Sequence, residues 1–238
     1  MRGAYFASTG NSRKDAMMKL IQQITLLLRI SAAPNTVREY VGGTPAKIEK
    51  VLDMLSEMDD QIVAIGVRHK EVVKKYKAAI ESRFPHRSLF VVTGDTTTLA
   101  KRRALRKTLR ESKNGILLCT QQSLPSSVNF EYVNKVIIPE LHYNNSQMSQ
   151  FYFRFIRYTS QNAKDVYFVT YNGSLEVNQM GMVLAKEKLN WFMRGDDVDL
   201  DEIYDRFGVT HEYMHAMLTR EEDDEGHFRI RWGEQSVS

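Results

Sequence analysis

"QIVAIGVRHKEVVKKYKAAIESRFPHRSLFVVTG", residues 61–94, settles the fold class. Its first seven residues, 61–67, are a short apolar run rich in β-branched side chains, which reads as a buried strand. Helix-period sequence follows at 69–83, and "SLFVVTG" at 88–94 returns to a buried strand. A strand, a helix and a strand in that order predict two parallel strands joined by a crossover helix. The unit repeats outward. A basic helix is expected at about 98–112, strands at "GILLCT" (115–120) and "KVIIPE" (135–140), and a helix at about 146–158. "DVYFVTY" (165–171) is a fifth strand, and "SLEVNQMGMVLAKEKLNWFM" a long helix. Upstream, residues 13–30 read as an amphipathic helix ended by Pro34, and Gly42, Gly43 and Pro45 mark a linker. A helix at about 46–58 then sets Ile48, Val51, Leu52 and Leu55 on one face. Strands alternating with helices predict an α/β fold: a mostly parallel sheet covered on both faces, with function at the carboxyl ends of the strands.

The 238 residues suffice for one α/β domain with appendages, and 42% apolar and 26% charged residues are ordinary for a globular protein. The single cysteine, Cys119, excludes an internal disulfide and a Cys cluster for zinc, and fits a reducing, cytoplasmic setting. It reads as a buried strand residue, because no histidine is placed to activate it. No uncharged run is long enough for a membrane span, so no membrane partner is expected. The net charge of +4 permits an anionic partner, and its distribution is uneven. "RHKEVVKKYK" and "KRRALRKTLRESK" are basic, whereas "DDVDLDEIYD" and "REEDDE" are acidic.

Within "QFYFRFIRYTSQ" (150–161), Arg154 and Arg157 stand three residues apart, which on a helix gives them one face. Phe151, Phe155 and Tyr158 fall on another face and can anchor the helix to the sheet. Such a pair is ordinarily a solvated basic face. Here it follows a strand and the loop "PELHYNNSQMSQ", where a parallel sheet presents its ligand site. Two guanidiniums there suit a polyphosphate, since each offers a planar fork that matches phosphate oxygens.

Taken in order, these segments resemble the second RecA-like lobe of superfamily 2 helicases and translocases. The likeness leans to the Swi/Snf type and is compatible with a phage-encoded member. Gln150, Arg154 and Arg157 match that family's Q-x-x-x-R-x-x-R motif, and Tyr143, Asn144 and Asn145 its preceding W-N-P-like segment. "IVAIGVRHKEVVKKY" is similar to motif IV, "VVTGDTTTLAKRRAL" to the strand–Thr–Gly segment, and "GILLCTQQSLPSSVNF" to motif V. In motif V, Ser126 and Ser127 stand near the family's glycine. Ser174–Glu176 resembles its S-x-E helix start. The resemblance implies a RecA-like three-layer lobe at 46–193, a helical lead-in and linker at 1–45, and a small acidic helical and hairpin module at 194–238. That module has the outline of a winged helix, although its first helix is acidic.

By the same resemblance, Arg154 and Arg157 are expected as arginine fingers and Gln150 and Asn129 as nucleotide contacts. Arg68, His69, Thr93, Gly94, Arg102, Arg106 and Thr120 are expected to grip nucleic acid, DNA in the first instance. The cofactors would be ATP and Mg²⁺. The residues that hold them most directly are not in the sequence, which has no G-x-x-x-x-G-K-[ST] loop and no D-E-x-[DH] segment after a buried strand. A P-loop lobe in cis or in trans is therefore an expected partner, and the chain reads as a fragment, a split-gene product or a lobe without its mate. A non-catalytic module that docks a partner is the rival reading. A cytoplasmic location, that of the host if phage-encoded, is expected. "THEYMH" supplies His211, Glu212 and His215, an H-E-x-x-H that would suit a zinc protease, but no third ligand stands at a familiar spacing.

Overall fold

A computed structural model describes residues 11–94, 98–124, 130–142, 145–156, 162–177 and 179–181, with the backbone of 220–222 and 228–230. Helix α1 (Asn11–Ala32) leads through a 3-10 turn (Pro34–Thr36) and an irregular linker to α2 (Ala46–Glu57). Then come β1 (Val63–Val67), α3 (Lys70–Arg83), β2 (Leu89–Val92), α4 (Leu99–Glu111) and β3 (Ile116–Thr120). A 3-10 turn (Gln121–Ser123), β4 (Lys135–Ile138), α5 (Asn145–Tyr152) and β5 (Asp165–Phe168) complete the sheet. The five strands lie in the order β2-β3-β1-β4-β5 and every pairing is parallel. The chain has the RecA-like α/β architecture expected from its sequence.

Both faces of the sheet are covered, which is why its strands read as continuous apolar runs rather than alternating ones. Val63, Ile65, Val67, Ile116, Leu118 and Ile137 share one core with Ile48, Val51, Leu52 and Leu55 of α2 and Val72, Val73, Tyr76 and Ile80 of α3. Full burial of each such aliphatic side chain stabilises by about 1.5–3 kcal/mol, so α2 and α3 are held by their apolar stripes more than by helix propensity. The opposite face packs Ala64, Leu117, Cys119, Val136 and Ile138 under Phe130, Met148, Phe151 and Phe155. Ile24, Leu28 and Ala32 bury one side of α1, and the Tyr76 hydroxyl donates to the Ala32 carbonyl at 3.3 Å.

Two boundaries differ from expectation by more than two residues. The helix expected to reach 158 ends at Tyr152. Beyond it the amides of Arg154 and Phe155 bond back three residues, to the Phe151 and Tyr152 carbonyls, and the Arg154 carbonyl accepts from Phe130 N–H at 3.2 Å. A non-local amide thus takes the acceptor that would continue the helix. The fifth strand stops at Phe168 rather than 171. Tyr171 is drawn out of the ladder by Glu176, whose Oε2 accepts its N–H at 3.0 Å. In the tail, Arg220–Glu222 pairs antiparallel with Phe228–Ile230, giving the expected hairpin. The two expected tail helices and His211, Glu212 and His215 lie outside the described residues.

Candidate functional site at the carboxyl edge of the sheet

Because the five strands of the main sheet run one way, their carboxyl ends and the loops that follow share one edge. Arg68 and His69 follow β1, Thr93 and Gly94 follow β2, Thr120 closes β3, and Glu140 and His142 follow β4.

Glu140 organises the centre of this edge. It is 1% exposed. Its Oε2 accepts from the backbone N–H of Arg68 at 2.6 Å and of His69 at 3.1 Å, while Oε1 meets His69 Nδ1. His69 is the N-cap of α3 with extended backbone, so the carboxylate satisfies amides at a helix N-terminus, where negative charge is favoured. The Glu140 carbonyl accepts from Gln121 Nε2 at 2.7 Å, and the same nitrogen donates to the Gly66 carbonyl at 3.2 Å. One amide side chain from the turn after β3 therefore ties β1 to β4. The next residue, Gln122, donates to Gln147 of α5 at 2.9 Å. His142 is also buried, and that burial, with the Arg68 guanidinium nearby, lowers its pKa to about 4, so it is neutral at pH 7.

The segment carrying Arg154 follows α5 and is anchored against the sheet by aromatic packing. Phe151 and Phe155 are fully buried, with ring centroids 5.3 Å apart in an edge-on arrangement, and Phe130 stands 5.9 Å from Phe155. Gly66 makes room for this: a Cβ at that position would stand only 2.3 Å from Cε1 and Cζ of Phe151. Arg154 is half-buried. Its charge reaches Cys119, the penultimate residue of β3, where it partly opposes the rise in thiol pKa that burial causes.

A second polar cluster flanks the edge. Lys47, at the start of α2, forms an ion pair with Glu176, and both side chains are 1% exposed. Its Nζ also donates to the Pro139 carbonyl at 3.3 Å. Burial pushes the Lys47 ammonium down and the Glu176 carboxyl up, and each charge holds the other against that push.

The expected site residues are thus partly brought together. Arg68 and His69 converge on Glu140. Gly94, Thr120 and Ser123 form another group, since a Cβ at Gly94 would stand 3.8 Å from Ser123 Oγ. Thr93 and Thr120 are buried, and the Thr120 hydroxyl bonds Ser123 Oγ inside the fold. Gln150 is exposed on α5. Arg106 is half-buried on α4, with its carbonyl accepting from the Tyr132 hydroxyl at 2.9 Å. Arg157, Asn129, and Tyr143 and Asn144 lie outside the described residues, as does the side chain of Arg102. Sequence reading passed over Glu140, Gln121, His142 and the Lys47–Glu176 pair. The signal for Glu140 was present: a carboxylate directly after a fully apolar strand and a proline cannot remain charged and buried without partners. Among the described residues, no three His, Cys, Asp or Glu side chains gather as a metal site, and no helix is long and apolar enough to cross a membrane.

No protein family matches the sequence, and no curated protein matches it. Solved structures do match the fold. A Sulfolobus solfataricus SWI2/SNF2 ATPase core in complex with double-stranded DNA aligns with TM-score 0.61 and 16% identity, over 79% of this chain and 39% of that one. The core domain of the same organism aligns with TM-score 0.58 and 15% identity, over 90% of this chain and 42% of that one. The C-terminal part of the Fun30 ATPase domain aligns with TM-score 0.52 and 15% identity, over 76% of this chain and 62% of that one. The chain therefore spans less than two thirds of the length of each of these structures. At these identities the likeness is one of fold: the chain shares the α/β fold of these SWI2/SNF2 and Fun30 ATPase domains.

Proposed function

We propose that this chain is the second motor lobe of an ATP-dependent DNA helicase or translocase. In this reading it supplies Arg154 and Arg157 to a nucleotide held mainly by a P-loop lobe. Arg68, His69, Gly94, Arg102 and Arg106 meet the nucleic-acid backbone. The observation that carries the reading is the setting of Arg154. It stands half-buried in a turn fixed on both sides by buried Phe151 and Phe155, with its Nε enclosed and its charge acting on Cys119 near the carboxyl end of β3. A guanidinium so mounted is held in place before a ligand arrives. The fold shared with SWI2/SNF2 cores, one of them on duplex DNA, and the basic run 101–110 support the same reading.

The side chains at this edge fit part of the implied cofactor. A planar, permanently charged fork suits phosphate oxygens, and Gln150 is exposed one turn earlier. Mg²⁺ fits less well here. The buried carboxylate at the edge, Glu140, already spends both oxygens on Arg68 and His69. Metal coordination is accordingly assigned to the P-loop lobe. When bound, the nucleotide supplies a phosphoryl group on which negative charge shifts during hydrolysis. The contribution of this chain is to place fixed positive charge against it.

The test is single-turnover ATP hydrolysis at saturating DNA, with the chain joined to a P-loop lobe. Arg154→Ala and Arg157→Ala should each lower the rate by about 10³-fold or more, and Lys should rescue poorly because a point charge cannot reproduce the fork. Variants that fold normally and hydrolyse at the wild-type rate would remove the arginine-finger assignment and leave a module that docks a partner.

A further inference from the structure

Glu140 contacts the β1–α3 turn at three points, and two of them are backbone amides that would otherwise be orphaned at the start of α3. The third is the His69 ring. The hydrogen bond there runs from Nδ1–H to a carboxylate that is itself 1% exposed, so the carboxylate fixes which ring nitrogen faces inward. Nε2 is the nitrogen left for a ligand, on a side chain that is 23% exposed.

We propose that Glu140 is a positioning residue for nucleic-acid binding: it holds the His69 imidazole by Nδ1 so that the charged ring presents Nε2–H to a backbone phosphate. This rests on the nucleic-acid reading above. The proton logic is simple. With Nδ1–H directed at Glu140, a neutral ring would offer only a lone pair at Nε2, which repels a phosphate oxygen. The ring therefore donates to phosphate once it carries both protons, with Glu140 as the counter-charge behind it. Among the described residues, the charged and titratable groups around the ring are its chain neighbours Arg68 and Lys70, Glu140 and His142 from the loop after β4, and Lys47 and Tyr76 behind Glu140. His142 is uncharged above about pH 4, and Lys47 is already paired with Glu176.

The experiment uses the full 238-residue chain and a fluorescent DNA duplex of about 20 base pairs, with affinity measured at low salt from about pH 8 to about pH 5.5. The wild type should gain about tenfold on acidification. His69→Ala and Glu140→Gln should each abolish most of that gain, and the double variant should lose no more than either single one. Glu140→Gln keeps a carbonyl for the Arg68 and His69 amides, so its melting temperature should stay close to wild type. In Glu140→Gln the ¹⁵N shifts of the His69 ring should show the proton of the neutral form moved from Nδ1 to Nε2, which a purely structural role would not produce. Arg106→Ala serves as the control and should weaken binding equally at every pH. Binding that weakens in Arg106→Ala but has no acid-dependent part, or a folded Glu140→Gln that keeps that part, would overturn the positioning role alone. No duplex binding by the wild type at low salt would overturn it together with the nucleic-acid reading.

Discussion

Lys47 and Glu176 form an ion pair from which water is excluded, and their energetics follow from that. Removing two charges from water costs several kcal/mol per ion, and their attraction repays this only while both are present. Lys47→Met should therefore destabilise the fold by roughly 3–5 kcal/mol, whereas Lys47→Met with Glu176→Leu should cost much less or stabilise it, as read from urea unfolding. His142 makes a prediction of opposite character. Unfolded, its imidazole takes a proton near pH 6.5; folded, burial and Arg68 delay that to about pH 4. Between those values the unfolded chain binds more protons, so acidification favours unfolding. Up to about 2 kcal/mol of stability present above pH 6.5 should be lost as the pH falls toward 4, and His142→Gln should lose less over the same interval. Neither site was legible in the sequence, because nothing local marks Lys47 as the partner of a glutamate 129 positions away. Arg154 was legible because its neighbours within four positions, Phe151 and Phe155, supply its mounting.

Among the described residues, the helices and strands were read from periodicity close to their bounds, since two buried sheet faces impose apolar runs and each crossover helix carries one apolar stripe; most of the long helix expected from Ser174 lies outside those residues. The exceptions were ends determined by distant groups. α5 ends where Phe130 takes the Arg154 carbonyl, and β5 ends where Glu176 takes the Tyr171 amide. An i, i+3 arginine pair on one continuous helix face is therefore not what holds Arg154; a tightened turn is. That turn depends on how closely α5 can approach β1. Gly66→Ala would place a methyl group 2.3 Å from the edge of the Phe151 ring, displacing α5 and the turn together. The expected cost is about 1–3 kcal/mol, with greater mobility of 153–156 in hydrogen exchange. Adding Phe151→Leu should recover part of the loss, which a double-mutant cycle in urea would detect.

The five-stranded sheet defines one lobe, and the chain contains no P-loop. In steady-state assays with DNA, the purified chain should not hydrolyse ATP at a significant rate, because the lysine and metal ligands that act on the γ-phosphate are not in it. Robust turnover lost in Arg154→Ala would contradict the division of labour between two lobes. The strand order has a further consequence, for synthesis on the ribosome. β1 is made first yet lies in the middle of the sheet, between β3 and β4, and β2 pairs with β3 rather than with β1. No sheet hydrogen bond can form until residues 116–120 have emerged, some 50 residues after β1. At about 5–20 residues per second, the nascent segment Val63–Val67, with no charge and no proline, waits several seconds with both edges open. Release of the chain before residue 116 should yield an aggregation-prone species, and release after residue 142 a protease-resistant one. Translation speed across 68–135 thus becomes a determinant of yield that the finished fold conceals.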